Sequence, residues 1–196
     1  MSRYIAIEGG DGSGKSTITS ALEERLAGLG LTVLVVREPG STELGEEIRR
    51  ILLDGTEMTP WAEAFLFAAQ RAQLAVEVVA PALEAGTWVI SDRTYYSSIA
   101  YQGGARGLGL EKVRQINEPG LEGIEPDLVF ILDLDVEVAL ERQAQPDRIG
   151  GEQHHFHQAV REAYRALAAN EPERVFLIDN RADTNIVVDN IMSRIL

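Results

Sequence analysis

The chain has 196 residues, 45% of them apolar and none of them cysteine, which suits one well-buried α/β domain and is too little for two ordinary ones. Disulfides and thiolate chemistry are thereby excluded, and the apolar runs are strand-sized, too short for a membrane-spanning helix. A formal net charge of −13, with no stripe of Lys/Arg, argues against a nucleic-acid polymer as partner, but not against a nucleotide, for which a local cluster of cations suffices.

The first predicted element is a short buried strand, Tyr4-Ile5-Ala6-Ile7-Glu8. It begins so near the first residue that no signal peptide is expected, and a cytoplasmic, single-domain protein spanning 1–196 is the expectation. Next comes Gly9-Gly10-Asp11-Gly12-Ser13-Gly14-Lys15-Ser16, followed by Ile18, Ala21, Leu22, Leu26 and Leu29 at the spacing of one helix face. G-x-x-x-x-G-K-[ST] between a strand and a helix is the phosphate-binding P-loop. Glycines let the backbone turn around an anion, and the loop N–H groups and helix N-terminus point at it. The phosphate-binding set is Gly9, Gly10, Asp11, Gly12, Ser13, Gly14, Lys15, Ser16 and Thr17. Lys15 reaches the β/γ-phosphates, and the Ser16 hydroxyl binds Mg²⁺. A Gly-rich turn that merely ends in Lys-Ser is the alternative, which the flanking strand and helix disfavour.

Leu31–Val36 reads as the second strand, with Arg37 just past its end. Arg37 to Thr42 is a loop, and Ser41 or Thr42 caps a helix over Glu43–Leu53 that Asp54-Gly55 ends. Thr59-Pro60 opens a long helix from Trp61 to about Ala85, carrying an apolar stripe at Trp61, Phe65, Ala69, Ala72, Val76, Val79 and Leu83 and a kink or break at Pro81. The third strand is Thr87–Ile90, ending at Ser91-Asp92-Arg93. Residues 94–106 read as a helix running into a Gly-rich loop (Gly103, Gly104, Gly107, Gly109), and Leu110 to Glu118 as a further helix. Asp127–Leu132 is the fourth strand, and Val136 to Arg142 begins a helix. Gln143 to Gly151, polar and holding Pro146 and Gly150-Gly151, reads as a mobile loop, a short lid. A helix over 152–169, a fifth strand at Arg174–Ile178 and a helix at Thr184–Ile195 complete the chain. The class is therefore α/β: a doubly wound, five-stranded parallel sheet with helices on both faces and a P-loop after strand 1.

In such sheets ligands sit outside the carboxyl ends of the strands, where this sequence puts Glu8 and Asp11, Arg37, Asp92-Arg93, and Asp133 with Asp135. Asp92 and Asp133 each follow an apolar strand, as a Mg²⁺-supporting carboxylate does. Asp92 is favoured because Arg93 adds a phosphate contact, and simple capping of strand ends stays open. Arg37 and Arg93 can fork a phosphate, or be solvated surface arginines. On the long helix, 100° per residue puts Phe67, Gln70, Arg71 and Leu74 opposite the apolar stripe. An aromatic beside an arginine there can stack on a base while the guanidinium bonds its edge, or the face can simply be a second buried one. Arg142 and Arg148 border the lid, from which arginines can swing onto a transferring phosphoryl group. His154, His155 and His157 lack the carboxylate or cysteine pattern of a Zn²⁺ site.

Four motifs resemble those of bacterial thymidylate kinases: Ile7-Glu8-Gly9-Gly10-Asp11-Gly12-Ser13-Gly14-Lys15-Ser16-Thr17; Arg37-Glu38-Pro39-Gly40-Ser41-Thr42; Leu66-Phe67-Ala68-Ala69-Gln70-Arg71-Ala72-Gln73; and Asp92-Arg93 through Ser97-Ser98, Ala100-Tyr101-Gln102. Leu132-Asp133-Leu134 and Asp147-Arg148-Ile149 also fit, so the resemblance covers essentially the whole chain. It implies transfer of the γ-phosphoryl of ATP to dTMP, giving dTDP and ADP for dTTP synthesis, with Mg²⁺ held by Ser16 and Asp92. Asp11 would lie near the monophosphate and the sugar 3′-hydroxyl. Arg37 and Arg93 would hold the phosphate, Phe67 would stack on thymine, Arg71 would bond the base, and Ser98 and Gln102 would complete the dTMP site. Tyr101 would crowd the 2′ position, and Arg142 would lie over adenine. Asp11, Lys15, Arg93 and the lid residue Arg148 would be catalytic. A homodimer through long apolar helices is implied as well. The P-loop carries no arginine, which places the chain with members whose lid supplies it, yet Gln143 and Gln145 stand where basic residues are common, and Gln70 and Leu74 replace commoner Asp and His. The alternatives are a kinase for another nucleoside monophosphate or a deoxynucleoside, and a nucleotide-hydrolysing switch, which the lack of an N-K-x-D motif disfavours.

Overall fold

Tyr4–Gly9 forms β1, buried along its whole length, in the computed structural model, which describes residues 3–54, 57–143 and 145–196. The other strands are β2 (Val33–Arg37), β3 (Trp88–Asp92), β4 (Leu128–Asp133) and β5 (Val175–Asp179). All pair in parallel, in the order β2-β3-β1-β4-β5, so the P-loop strand is central. Strands buried on both faces read as continuous apolar runs, and alternate residues serve opposite layers. Ile5 and Ile7 pack with α1 (Lys15–Gly28) and α9 (Thr184–Ile195). Ala6 packs on the other face with α6 (Leu110–Leu121) and α8 (His154–Asn170). The doubly wound expectation holds. Among the described residues, no helix is long and apolar enough to cross a membrane.

α2 (Glu43–Leu53) is capped by Thr42, whose side chain accepts from Gly45 N, and Asp54 is its C-cap; Gly55 lies outside the described residues. The long helix is α3 (Pro60–Leu74), then a π-helical segment (Ala75–Val79), then α4 (Ala80–Glu84). The interruption expected at Pro81 is thus a widened turn just before it. Proline has no N–H for the carbonyl four residues back, and Ala80 N–H bonds the carbonyl of Ala75 instead.

Two expectations need correcting. The first part of the apolar stripe does not face the core: Trp61 and Phe65 in α3 and Val76 in the π-helical segment are 37%, 55% and 51% exposed, whereas Glu63, Ala64, Gln70, Arg71 and Leu74 are buried, and of the stripe Val79 alone is fully buried among the described residues. Hydropathy located an apolar face but not what covers it. Likewise Gly103 and Gly104 are not in a loop. After α5 (Tyr95–Ser98) the chain widens into a second π-helical segment, Ile99–Ala105. A Cβ on Gly104 would lie 2.8 Å from the Cβ of Ala163 in α8, and one on Gly103 would lie 3.1 Å from the Cα of Leu110 at the start of α6, so these glycines serve close packing against α8 and α6. α6 continues past Glu118 through Pro119 and Gly120, where a Cβ would lie 2.6 Å from that of Ala72. α7 (Val136–Glu141) leads into the lid and α8 leads out of it.

Candidate active site

At the carboxyl end of β1 the loop needs glycine where the backbone is left-handed. Gly12 has φ +75°, and a Cβ there would overlap the carbonyl of Ala139 in α7. α1 starts at Gly14 with no side-chain cap and no acid in its first turn, unlike α2 with Thr42, Glu43 and Glu46. Its N–H groups and dipole are left for an external anion. Lys15 is buried, and its Nζ donates to the carbonyls of Gly9 (3.2 Å) and Gly10 (2.8 Å). Burial, with the Arg93 charge beside it, lowers its ammonium to about 8. Thr17 is exposed in the first turn of α1.

The Ser16 hydroxyl donates to Asp92 Oδ2 at 2.9 Å. Asp133 is engaged elsewhere, accepting from Arg161 (2.7 and 3.2 Å) and Arg165 (2.7 Å). The geometry therefore joins Asp92, and not Asp133, to the P-loop. A hydroxyl and one carboxylate at the phosphate end of the loop are the hard oxygen donors that Mg²⁺ takes, so these residues fit the ion.

A cavity of about 300 Å³ opens beside the loop. Lys15, Ser16, Asp11, Asp92 and Arg93 line its floor, and Arg37, Arg49, Phe67, Ser98, Tyr101 and Gln102 its walls. All eight acceptor-site residues expected from sequence, Arg71 among them, thus meet in one place. Arg93 holds φ +76°, a conformation that costs on the order of 1–3 kcal/mol outside glycine. Its surroundings fix it: the guanidinium donates to Gly9 O (3.1 Å), Ser97 Oγ (3.1 Å), Tyr101 OH (3.3 Å) and Asp11, and lies over the Tyr101 ring. Tyr101 OH donates to the other Asp11 oxygen at 2.9 Å. Burial pushes the Asp11 carboxyl up, but Arg93, Lys15 and the Tyr101 hydrogen bond outweigh it and hold Asp11 below the ordinary range.

Behind this floor Glu8 is fully buried, accepting from Thr94 N (2.7 Å), Ser97 Oγ (2.6 Å) and Tyr164 OH (2.8 Å). One carboxylate so ties the P-loop strand to the β3–α5 turn and to α8. Arg37 is half exposed, paired with Glu46 at 3.1 Å. Arg49 escaped sequence reasoning. It donates to Pro39 O at 2.8 Å, and burial together with Arg37 lowers its guanidinium. The available signal was its place between Gly45, Ile48 and Leu52 on the inward face of α2.

Arg71 and Glu38 are each only 3% exposed and form an ion pair at 2.6 Å. Arg71 also donates to Ser98 Oγ (3.1 Å), Asn117 Oδ1 and Thr94 O (3.1 Å), so one of its five N–H groups has no partner among the described residues. Burial raises the Glu38 carboxyl, against the pull of Arg71. Gln70 donates to Glu38 at 3.2 Å and accepts from Gly40 N at 3.3 Å, which locks the Arg37 loop onto α3. Gln102 donates its Nε2 to Glu63 at 2.9 Å, while its buried Oε1 accepts no hydrogen bond among the described residues.

Neither lid arginine lines the cavity. Arg142 is exposed at the end of α7. Arg148 donates to Leu52 O at 2.9 Å and pairs with buried Glu63 at 2.7 Å. Glu63 also accepts from Arg106 at 3.2 and 3.3 Å, an anchor that sequence reasoning missed.

A family model described as thymidylate kinase matches residues 7–191. The chain is 46% identical over 194 residues to the thymidylate kinase of Pelotomaculum thermopropionicum, covering 95% of this chain and 90% of that one. It is 47% identical over 180 residues to that of Caldanaerobacter subterraneus, covering 90% and 86%. The crystal structure of the Ehrlichia chaffeensis thymidylate kinase superposes with a TM-score of 0.85 at 28% identity, covering 100% of this chain and 99% of that one.

Proposed function

The chain belongs to the thymidylate kinase family and phosphorylates dTMP to dTDP at the expense of ATP, and we propose that the cavity beside the P-loop is where it holds the dTMP. One observation carries this reading: a base-sized wall, a cluster of guanidiniums and the P-loop lysine share a single cavity. The acceptor phosphate lies among Arg37, Arg49 and Arg93, whose guanidiniums can fork an oxyanion, the fourth cavity arginine, Arg71, being tied up with Glu38, Ser98, Asn117 and Thr94. Thymine lies against Phe67. It presents O4 to the one free N–H of Arg71 and donates N3–H to the unsatisfied Oε1 of Gln102, with the Ser98 hydroxyl at its edge. Cytosine has an acceptor at N3 and would oppose Oε1. Tyr101, held by Asp11 and Arg93, closes the sugar side.

The donor triphosphate takes the P-loop amides, with adenine toward Arg142. Ser16 and Asp92 would hold Mg²⁺, which would supply charge neutralisation to the triphosphate. The protein positions the acceptor in line and meets developing charge with Lys15 and Arg93. For Arg148 to join them it has to leave Leu52 and Glu63. Residues 143–151 act as a lid on one kinase domain, with a cytoplasmic site of action, which cell fractionation would check.

The test is ADP formation from ATP–Mg²⁺ with dTMP, dUMP, UMP, CMP, GMP, AMP or thymidine as sole acceptor. Strong preference for dTMP is expected, and preference for another base would overturn the pocket assignments. We also infer a homodimer. The stacked Trp61–Phe65 pair on α3 and exposed Val76 in the π-helical segment after it form an uncovered apolar face, a surface that a second copy covers. Phe65→Glu is expected to turn a sedimenting dimer into a monomer; a wild-type monomer at the same concentration would refute this.

A further inference from the structure

We propose that Glu63, which does not line the cavity, is a specificity-determining positioning residue: it fixes which face of the Gln102 amide meets the base. This rests on the reading that Gln102 accepts the N3–H of thymine. An ionised carboxylate only accepts hydrogen bonds, so the 2.9 Å contact with Glu63 Oε1 requires Gln102 to turn its Nε2 to the protein and its Oε1 away from it. That oxygen is the unsatisfied acceptor of a cavity-lining residue. Glu63 itself cannot turn. Its Oε1 also accepts from Arg106 Nε, and its Oε2 accepts from Arg106 Nη2 at 3.3 Å and pairs with Arg148 Nη2 at 2.7 Å. Two arginines so keep both oxygens occupied, and the buried carboxyl is held in its ionised form by hydrogen bonds from Gln102, Arg106 and Arg148 that outweigh burial. The amide orientation that distinguishes an imide base from cytosine is thus imposed from outside the pocket.

Glu63→Gln makes this testable with little change of shape. The new NH₂ would oppose two guanidinium groups if it replaced Oε2. On the Oε1 side it would oppose a single arginine N–H, Arg106 Nε at 3.2 Å, and Gln102, which can flip. A flipped Gln102 offers N–H to the base, which suits N3 of cytosine and repels N3–H of thymine. The dTMP/dCMP ratio of kcat/KM is expected to fall on the order of a hundredfold, about tenfold from each acceptor. Effects that travel through Arg148 or Arg106 touch both acceptors alike and cancel in the ratio. Should E63Q not fold, Glu63→Asp keeps the charge for the arginines but withdraws it from Gln102 by one methylene, and a smaller fall in the same direction is expected. Gln102→Met tests the underlying reading. A ratio that survives Q102M overturns the base contact itself. A ratio that falls in Q102M but stays at the wild-type value in the folded Glu63 variant leaves that contact standing and overturns the role of Glu63.

Discussion

Replacing Lys15 with methionine is expected to lower kcat by about 10²- to 10³-fold, the loss that follows removal of one preorganised transition-state donor. The fold should be untouched. Folding already has to bury this ammonium, as its lowering to about 8 records, and methionine fills the same space without a charge. In the free site the loop carbonyls of Gly9 and Gly10 hold Nζ in place, so the lysine waits where the phosphates arrive. A pH signature belongs to the same group. A bound polyphosphate raises the lysine above its free value of about 8, so above pH 8 binding of ATP takes up a proton and affinity falls as pH rises. Below pH 8 the lysine is already charged and affinity is flat. Calorimetry at about pH 9 in two buffers of different ionisation enthalpy should show proton uptake for the wild type and none for K15M. Wild-type turnover in K15M, or equal uptake in both proteins, would remove Lys15 from this role.

The second large effect is on stability. Arg71→Met strands the Glu38 carboxylate in a site where each partner is 3% exposed, and breaking a buried pair from one side costs about 3–5 kcal/mol. For a chain of this length that is a fall in Tm of about 10 °C. Removing both partners, as R71M with Glu38→Met, should recover part of the loss because no charge is left unpaired. The sign with pH is fixed. Glu38 is already raised in the folded protein, burial outweighing Arg71, and loss of Arg71 raises it further. The folded variant then binds a proton that the unfolded chain does not, so its stability falls as pH rises above the ordinary carboxylate value. R71M should therefore lose less at pH 5 than at pH 8. Thermal melts at the two pH values decide this, and equal losses would mean that Arg71 acts by packing alone.

Much of this was legible in the sequence because its signals are local. The P-loop, the five strands and Thr42 as helix cap depend on neighbours a few residues apart. The strand order β2-β3-β1-β4-β5 depends on contacts far apart in the chain, and nothing in the strands announces it. The phase of α3 was misjudged for a physical reason: its inward face mixes Glu63, Gln70 and Arg71, each with buried polar partners, with Ala64 and Leu74, while Trp61 and Phe65 lie exposed. The glycines at 103 and 104 mark the closeness of the start of α6 and of α8, which a one-dimensional reading takes for a turn. Arg49 and Glu63 looked like ordinary helix charges. Their burial is set by elements that meet them only in three dimensions.

The hydrogen bonds around the base wall bear on how fast and how selectively the site can work. Arg71 gives four of its five N–H groups to the protein, and Gln102 gives up its amide nitrogen. On the proposed reading, what remains for the base is what the fold does not use among the described residues, one donor of Arg71 and one acceptor of Gln102. A ligand meeting such a wall has no long side chains to immobilise, and that saves about 0.5–1.5 kcal/mol for each one that would otherwise be ordered on binding. On that reading, selection of the base is settled when the chain folds, before any substrate is present.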